Sequence, residues 1–189
     1  MRFDRRAPGE GVEAVCSLEN TKTVLEWRFY FTDEAEGNAG MVRVVLMDMQ
    51  GNMVLEGVQS LCEEEPLHSI LLQPRLWRGA KDPYLYRLEA ILTDRDGWYL
   101  DQMSRYLPLR NFSSADSAGM FTLNGEVFER RAVSYTPPYA ASEAERQRLI
   151  TEDFRQIVRM GANCIYVERG EELVKLFLHL SDRLGLLAC

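Results

Sequence analysis

The chain is predicted to be a multi-domain β plus α/β protein: an immunoglobulin-like β-sandwich followed by a β/α segment. Two observations carry this. Residues 11–110 hold about seven short strand signals separated by turn chemistry, with no helical period of useful length. After Arg110 the order becomes strand, helix, strand, helix, strand, which is how parallel β/α units are written.

Composition sets the outer bounds. The 189 residues are 46% hydrophobic and 27% charged, ordinary for a globular chain long enough for one domain and part of another. A formal charge of −7 argues against nucleic acid or an anionic membrane as a partner, since either would want a basic face. The charged start, MRFDRRAPGEG, lacks the apolar stretch of a signal peptide, and no window approaches the roughly 18 apolar residues of a membrane span. Four scattered cysteines, Cys16, Cys62, Cys164 and Cys189, read as small apolar residues in or beside strand-like runs. Together these features predict a cytoplasmic protein.

The strand signals follow in order. VEAVCSL (12–18) precedes VLEWRFYFTD (24–33), whose alternating Leu25, Trp27, Phe29 and Phe31 read as packing. MVRVVLMD (41–48) and NMVLEGVQSL (52–61) flank a Gly-containing turn. LHSILLQP (67–74), YLYRLEAILTD (84–94) and the partner strand after the Asp96-Gly97 turn complete the set. NFSSADSAG (111–119) is polar and small, a linker.

Residues 120–189 then read as a partial β/α unit. Phe121–Leu123 and Val127–Val133 form a hairpin across Asn124-Gly125, and the strand stops at Pro137-Pro138. Ser142 and Glu145 make a capping box for a helix with Ile150, Phe154, Ile157 and Val158 on one face and Gly161 at its end. NCIYV (163–167) is a buried strand. A second helix, Glu171 to Leu184, aligns Leu173, Leu176, Phe177, Leu180 and Leu184, and LLAC (186–189) begins a third strand. Periodicity alone leaves a small open sheet and the opening of a larger barrel equally available.

The motifs resolve this by resemblance. Pro74-x-Leu76-Trp77, Pro83-x-Leu85-Tyr86-x-Leu88, Asp94-x-x-Gly97 and the closing Arg110 resemble the immunoglobulin-like domain of glycoside hydrolase family 2, which includes β-galactosidases, β-glucuronidases and β-mannosidases. Phe121-x-Leu123-Asn124-Gly125, then Asp153, Met160-Gly161-x-Asn163 and Asp182-x-x-Gly185-Leu186, are similar to that family's entrance into its catalytic (β/α)8 barrel. The resemblance implies a truncated, TIM-barrel-like segment after the sandwich. It also implies a retaining glycosidase whose acid/base and nucleophile lie beyond Cys189, so no catalytic residue is assigned here. The resemblance also implies a jelly-roll domain ahead of the sandwich, and with Met1 close to the first strand signal the sequence is expected to be a trimmed fragment or the product of an unusual gene.

Departures from the family pattern fall in the sugar pocket. Arg131-Ala132-Val133-Ser134-Tyr135 stands where the family has Arg-Gly-Val-Asn and a His, and Tyr166-Val167-Glu168-Arg169 where it has Arg and Ser-His. Tyr135, Tyr166 and Glu168 are the substrate-binding candidates, against the plainer reading of packed aromatics and a polar strand end. With only His68 and His179, over 100 residues apart, no metal site, catalytic triad or cofactor is expected. Trp77, Tyr84, Tyr86, Trp98 and Tyr99 are available for stacking on sugar rings or for closing the sandwich. The expected partners are carbohydrate in the parent enzyme, and either the remainder of a barrel or a second copy to cover exposed strand edges. The chain is then either the structural sandwich and opening barrel segment of a glycosidase, or a stand-alone degenerate homologue acting as a carbohydrate-binding or protein-interaction module.

Overall fold

The computed structural model describes residues 1–19, 22–32, 39–63, 65–113, 120–167 and 173–188. They form two compact units, Met1–Pro74 with Tyr86–Leu109, and Arg75–Leu85 with Arg110–Cys189.

The first unit contains the seven expected strands: β1 (Val12–Glu19), β2 (Lys22–Phe29), β3 (Ala39–Met47), β4 (Met53–Ser60), β5 (Leu67–Leu72), β6 (Tyr86–Asp94) and β7 (Tyr99–Leu107). They pair antiparallel in two sheets, β1-β2-β5 and β4-β3-β6-β7. Alternation decides what each sheet buries. Val42, Val44 and Leu46 on β3 are buried and lie opposite Leu92, Ala90 and Leu88 on β6. On β2, Leu25 and Trp27 point inward, and the Trp27 indole N–H donates to the Ser69 hydroxyl at 3.0 Å, which removes the cost of burying a bare donor. The rest of the aromatic stripe is half-buried: Phe31 stacks on Phe3 at 5.7 Å.

Three details differ from the sequence reading. The sandwich begins before residue 11, because Phe3 bridges Phe31 and the Asp101 carboxylate accepts from both the Phe3 amide and Arg5. Cys62 is exposed in the turn after β4, whereas Cys16 is buried in β1 and its thiol is pushed up to about 11 by burial. The segment between β5 and β6 leaves the sandwich altogether, since Arg75–Leu85 packs in the second unit.

That second unit holds β8 (Phe112–Ser113), β9 (Phe121–Leu123) and β10 (Glu126–Phe128) in one antiparallel sheet, order β10-β9-β8. Residues 112–113, read as linker, therefore belong to a strand; 114–119 lie outside the described residues. Asn124 and Gly125 both take positive φ, 55° and 81°, as a two-residue turn of this hand requires.

Then come β11 (Ala132–Tyr135), α1 (Glu143–Arg159), β12 (Cys164–Val167), α2 (Val174–Leu184) and β13 (Leu187–Ala188), with the strands parallel in the order β11-β12-β13. The run expected as one strand from Val127 to Val133 is broken at 129–131. Asn163 causes the break: its side-chain oxygen accepts from the Arg131 amide at 2.7 Å, and its side-chain nitrogen donates to the Glu129 carbonyl at 2.7 Å.

Ser142 caps α1 by accepting from the Glu145 amide at 3.2 Å. Ile150, Phe154 and Ile157 on α1 and Phe177 and Leu180 on α2 pack with Ile165 of β12 on one side of the parallel sheet. On the other side Trp77, Leu85 and Leu123 pack with Cys164 and Leu187.

Among the described residues of this unit two buried side-chain atoms are unsatisfied, the Arg146 Nε and the Ser181 hydroxyl oxygen. Ser181 is 1% exposed and its hydroxyl oxygen has no hydrogen-bond partner. A buried hydroxyl without a partner costs about 1–3 kcal/mol, so Ser181→Ala should leave the midpoint of thermal unfolding unchanged or raise it. A fall in that midpoint by calorimetry would show that the hydroxyl is bonded in solution.

Candidate functional site

The parallel register assigns two of the sequence-predicted residues, Tyr135 and Tyr166, to a face. Ser134 pairs with Tyr166 and Tyr135 with Val167. Paired residues share a face and consecutive residues do not, so Tyr135 and Tyr166 project to opposite sides of the sheet. The structure does not bring them together.

Tyr135 faces the helices. It is buried, with its ring edge-on to Phe154 at 5.4 Å and to Phe177 at 6.4 Å. Its phenol donates to an Asp153 carboxylate oxygen at 2.7 Å. Burial, then the hydrogen bond to Asp153 and that carboxylate's charge, push the phenol above the usual tyrosine range. A side chain so enclosed locks α1 onto β11; it does not present itself to a sugar.

The sign of its pH dependence follows. The folded chain favours the neutral phenol, so the contribution is complete below the unfolded value, about 10, and declines as pH rises above it. Tyr135→Phe should remove that alkaline decline from the stability profile. It should also cost about 1–2 kcal/mol at neutral pH, because Asp153 loses its donor. Urea unfolding of both proteins between neutral and alkaline pH checks both effects.

Tyr166 lies on the open side, half-buried. The Arg130 guanidinium sits 5.7 Å from its ring centre and 4.6 Å from that of Phe121. Phe121 in turn stacks on Phe112 at 5.7 Å. Ala132 and Ser134, on the same side as Tyr166, are exposed. Glu168 lies outside the described residues.

Trp77 has a function that spacing did not reveal. The indole is fully buried and donates to the Asp182 carbonyl at 2.7 Å. Arg110 lies over its ring at 4.6 Å and pairs with the Asp182 carboxylate at 2.7 Å. The Trp77 carbonyl accepts from the Asn124 side chain at 2.8 Å. Tyr86 is buried as well, whereas Trp98 is 74% exposed.

A cleft of about 410 Å³ opens beside this cluster, walled by residues 76–81, 123–131 and 158–163. It lies at the N-terminal ends of β11 and β12, whereas a β/α barrel places its chemistry at the C-terminal ends. Among the described residues no group of three His, Cys, Asp or Glu side chains is placed to hold a metal ion. Among them, too, no helix is long and apolar enough to cross a membrane.

Comparison with known proteins shows what the chain is similar to. No family model matches the chain. A β-glucuronidase of Bacteroides fragilis is 26% identical over 148 residues, covering 71% of this chain and 21% of its own length. The crystal structure of an FMN-binding β-glucuronidase from Facaelibacterium prausnitzii L2-6 superposes with a TM-score of 0.76 at 21% identity, covering 99% of this chain and 28% of that one. A putative β-galactosidase from Bacteroides fragilis gives a TM-score of 0.69 at 21% identity, covering 94% and 27%. The chain thus spans about a fifth to a quarter of the proteins it is similar to, and those proteins are glycoside hydrolases. Its fold, β-sandwich included, is the one these proteins show over the matched part.

Proposed function

We propose that this chain supplies the sandwich and the opening β/α units of a family 2-type glycoside hydrolase, a framework for a carbohydrate-hydrolysing site that it does not itself complete. The parallel order β11-β12-β13, with both helices on one side and exposed Ala132 and Ser134 on the other, is the observation that carries this reading. Two β/α units and a third parallel strand are what a barrel begins with. Retaining hydrolysis needs two carboxyl groups roughly 5–5.5 Å apart, one to protonate the leaving oxygen and one to attack the anomeric carbon. The family resemblance puts both on later strands. The role left to these residues is to buttress the barrel and shape its rim around a carbohydrate substrate.

One observation favours the second reading, a stand-alone binding module. Arg130 occupies the side that a closed barrel fills with packed branched side chains, and a guanidinium enclosed there needs a counter-charge. The two readings differ in what happens at the β11 edge. A barrel opening leaves its backbone groups unpaired, so β11 amides should exchange rapidly with solvent and the chain should self-associate as concentration rises. Hydrogen exchange with sedimentation equilibrium tests this. Slow exchange along β11 in a discrete monomer or dimer would favour the module.

A further inference from the structure

We infer that the cleft at the N-terminal ends of β11 and β12 binds an organic anion with an apolar, ring-sized body. The space suits it: about 410 Å³ is within the range of small-molecule sites. Its floor is apolar, with Leu123 and Ala162 buried and Phe128 half-buried. Three cations, Arg78, Lys81 and Arg131, stand on its walls. Arg131 is committed elsewhere, donating to the Gly161 carbonyl at 2.8 Å and lying 3.7 Å from Glu129. Arg78 and Lys81 belong to no ion pair among the described residues, in a chain whose net charge is −7. Glu126 and Glu129 are the opposing charges, both exposed, and Glu129 lies beside Arg131, which leaves Glu126 as the carboxylate without a cation of its own in the cleft.

The walls are already fixed. Arg75 grips Asp82 through two nitrogens at 3.0 and 2.9 Å, which closes the 75–82 segment on itself. Asn124 bonds the Trp77 carbonyl and accepts from the Asn111 amide, and Asn163 bonds residues 129 and 131. A preformed cavity loses little ordering entropy on binding. A neutral apolar molecule would fill the floor and leave two cations unanswered; a carboxylate or sulfonate on such a body answers both features. Being at the end of the strands opposite a barrel's chemistry, the ligand stabilises the second unit by occupying it and takes no part in hydrolysis. Occupancy of this cleft does not depend on the barrel reading.

The test is a titration of the ¹⁵N-labelled chain with 4-phenylbutyrate and with its neutral amide, followed by NMR. Saturable shifts should map to residues 76–81, 123–131 and 158–163. The neutral amide and the double variant Arg78→Gln/Lys81→Gln should each bind about tenfold more weakly, and Glu126→Gln should bind more tightly. All three substitutions are at exposed positions, so the spectrum outside the cleft should not change. Equal affinity for acid and amide, shifts elsewhere on the chain, or no saturation in the low-millimolar range would each overturn the inference.

Discussion

Trp77→Ala should be the most damaging single truncation in the second unit, at about 3–5 kcal/mol. The indole is the largest side chain of the cluster with Leu85, Leu123, Cys164 and Leu187, and its removal leaves a cavity that those residues cannot collapse to fill. Two polar consequences add to the lost packing. The Asp182 carbonyl loses its donor, and Arg110 loses the ring beneath it while still facing the Asp182 carboxylate. Trp77→Phe separates these contributions, because it keeps much of the apolar volume and removes the N–H; it should cost about 1–2 kcal/mol. Hydrogen exchange read at α2 and β12 should show the loss there first. A Trp77→Ala protein with unchanged protection at both elements would mean that the segment 75–85 is not anchored by its tryptophan.

Gly185→Ala should cost about 2–4 kcal/mol, from two sources of different kind. Gly185 ends α2 with φ at 83°, in the left-handed region where an added Cβ is strained. In addition that Cβ would come within 2.2 Å of the Ala80 nitrogen and 2.4 Å of the Gly79 carbonyl carbon, both backbone atoms that cannot rotate away. Gly161, which ends α1 at φ 89°, is the internal control, because nothing stands within 4 Å of the point an added Cβ would occupy there. Gly161→Ala should therefore carry the conformational penalty alone, about 1 kcal/mol. Denaturant unfolding of the two variants side by side measures the difference. Equal losses would show that the 79–80 backbone moves aside at no cost.

Much of this architecture was legible because local chemistry and burial agree. The seven strands announce themselves through period-two alternation, and two of the turns through the Gly-containing stretch after Asp48 and through Asp96-Gly97; in the fold the Asp48 and Asp94 carboxylates each collect two backbone amides there. Ser142 and Gly161 marked the ends of α1 for the same reason: caps are local. Long-range decisions were not legible. PRLWRGAKDP lies between two strand signals, and nothing within it says that Trp77 is received by Asp182, 105 residues away. The break at 129–131 depends likewise on Asn163, over 30 residues downstream. The faces of the candidate site were partly readable. Val133 and Tyr135 share parity, so an apolar residue two positions back already argued that Tyr135 belongs with the helices.

Whether these residues hydrolyse a glycoside without further sequence is settled by one assay. The purified chain, at high micromolar concentration, is incubated with 4-nitrophenyl β-D-glucuronide and 4-nitrophenyl β-D-galactoside, and nitrophenol release is followed over hours. A framework that lacks the paired carboxyl groups should release no more than buffer does. Steady multiple-turnover release that tracks the chain through repeated purification would contradict the proposal and place a complete catalytic site within these 189 residues.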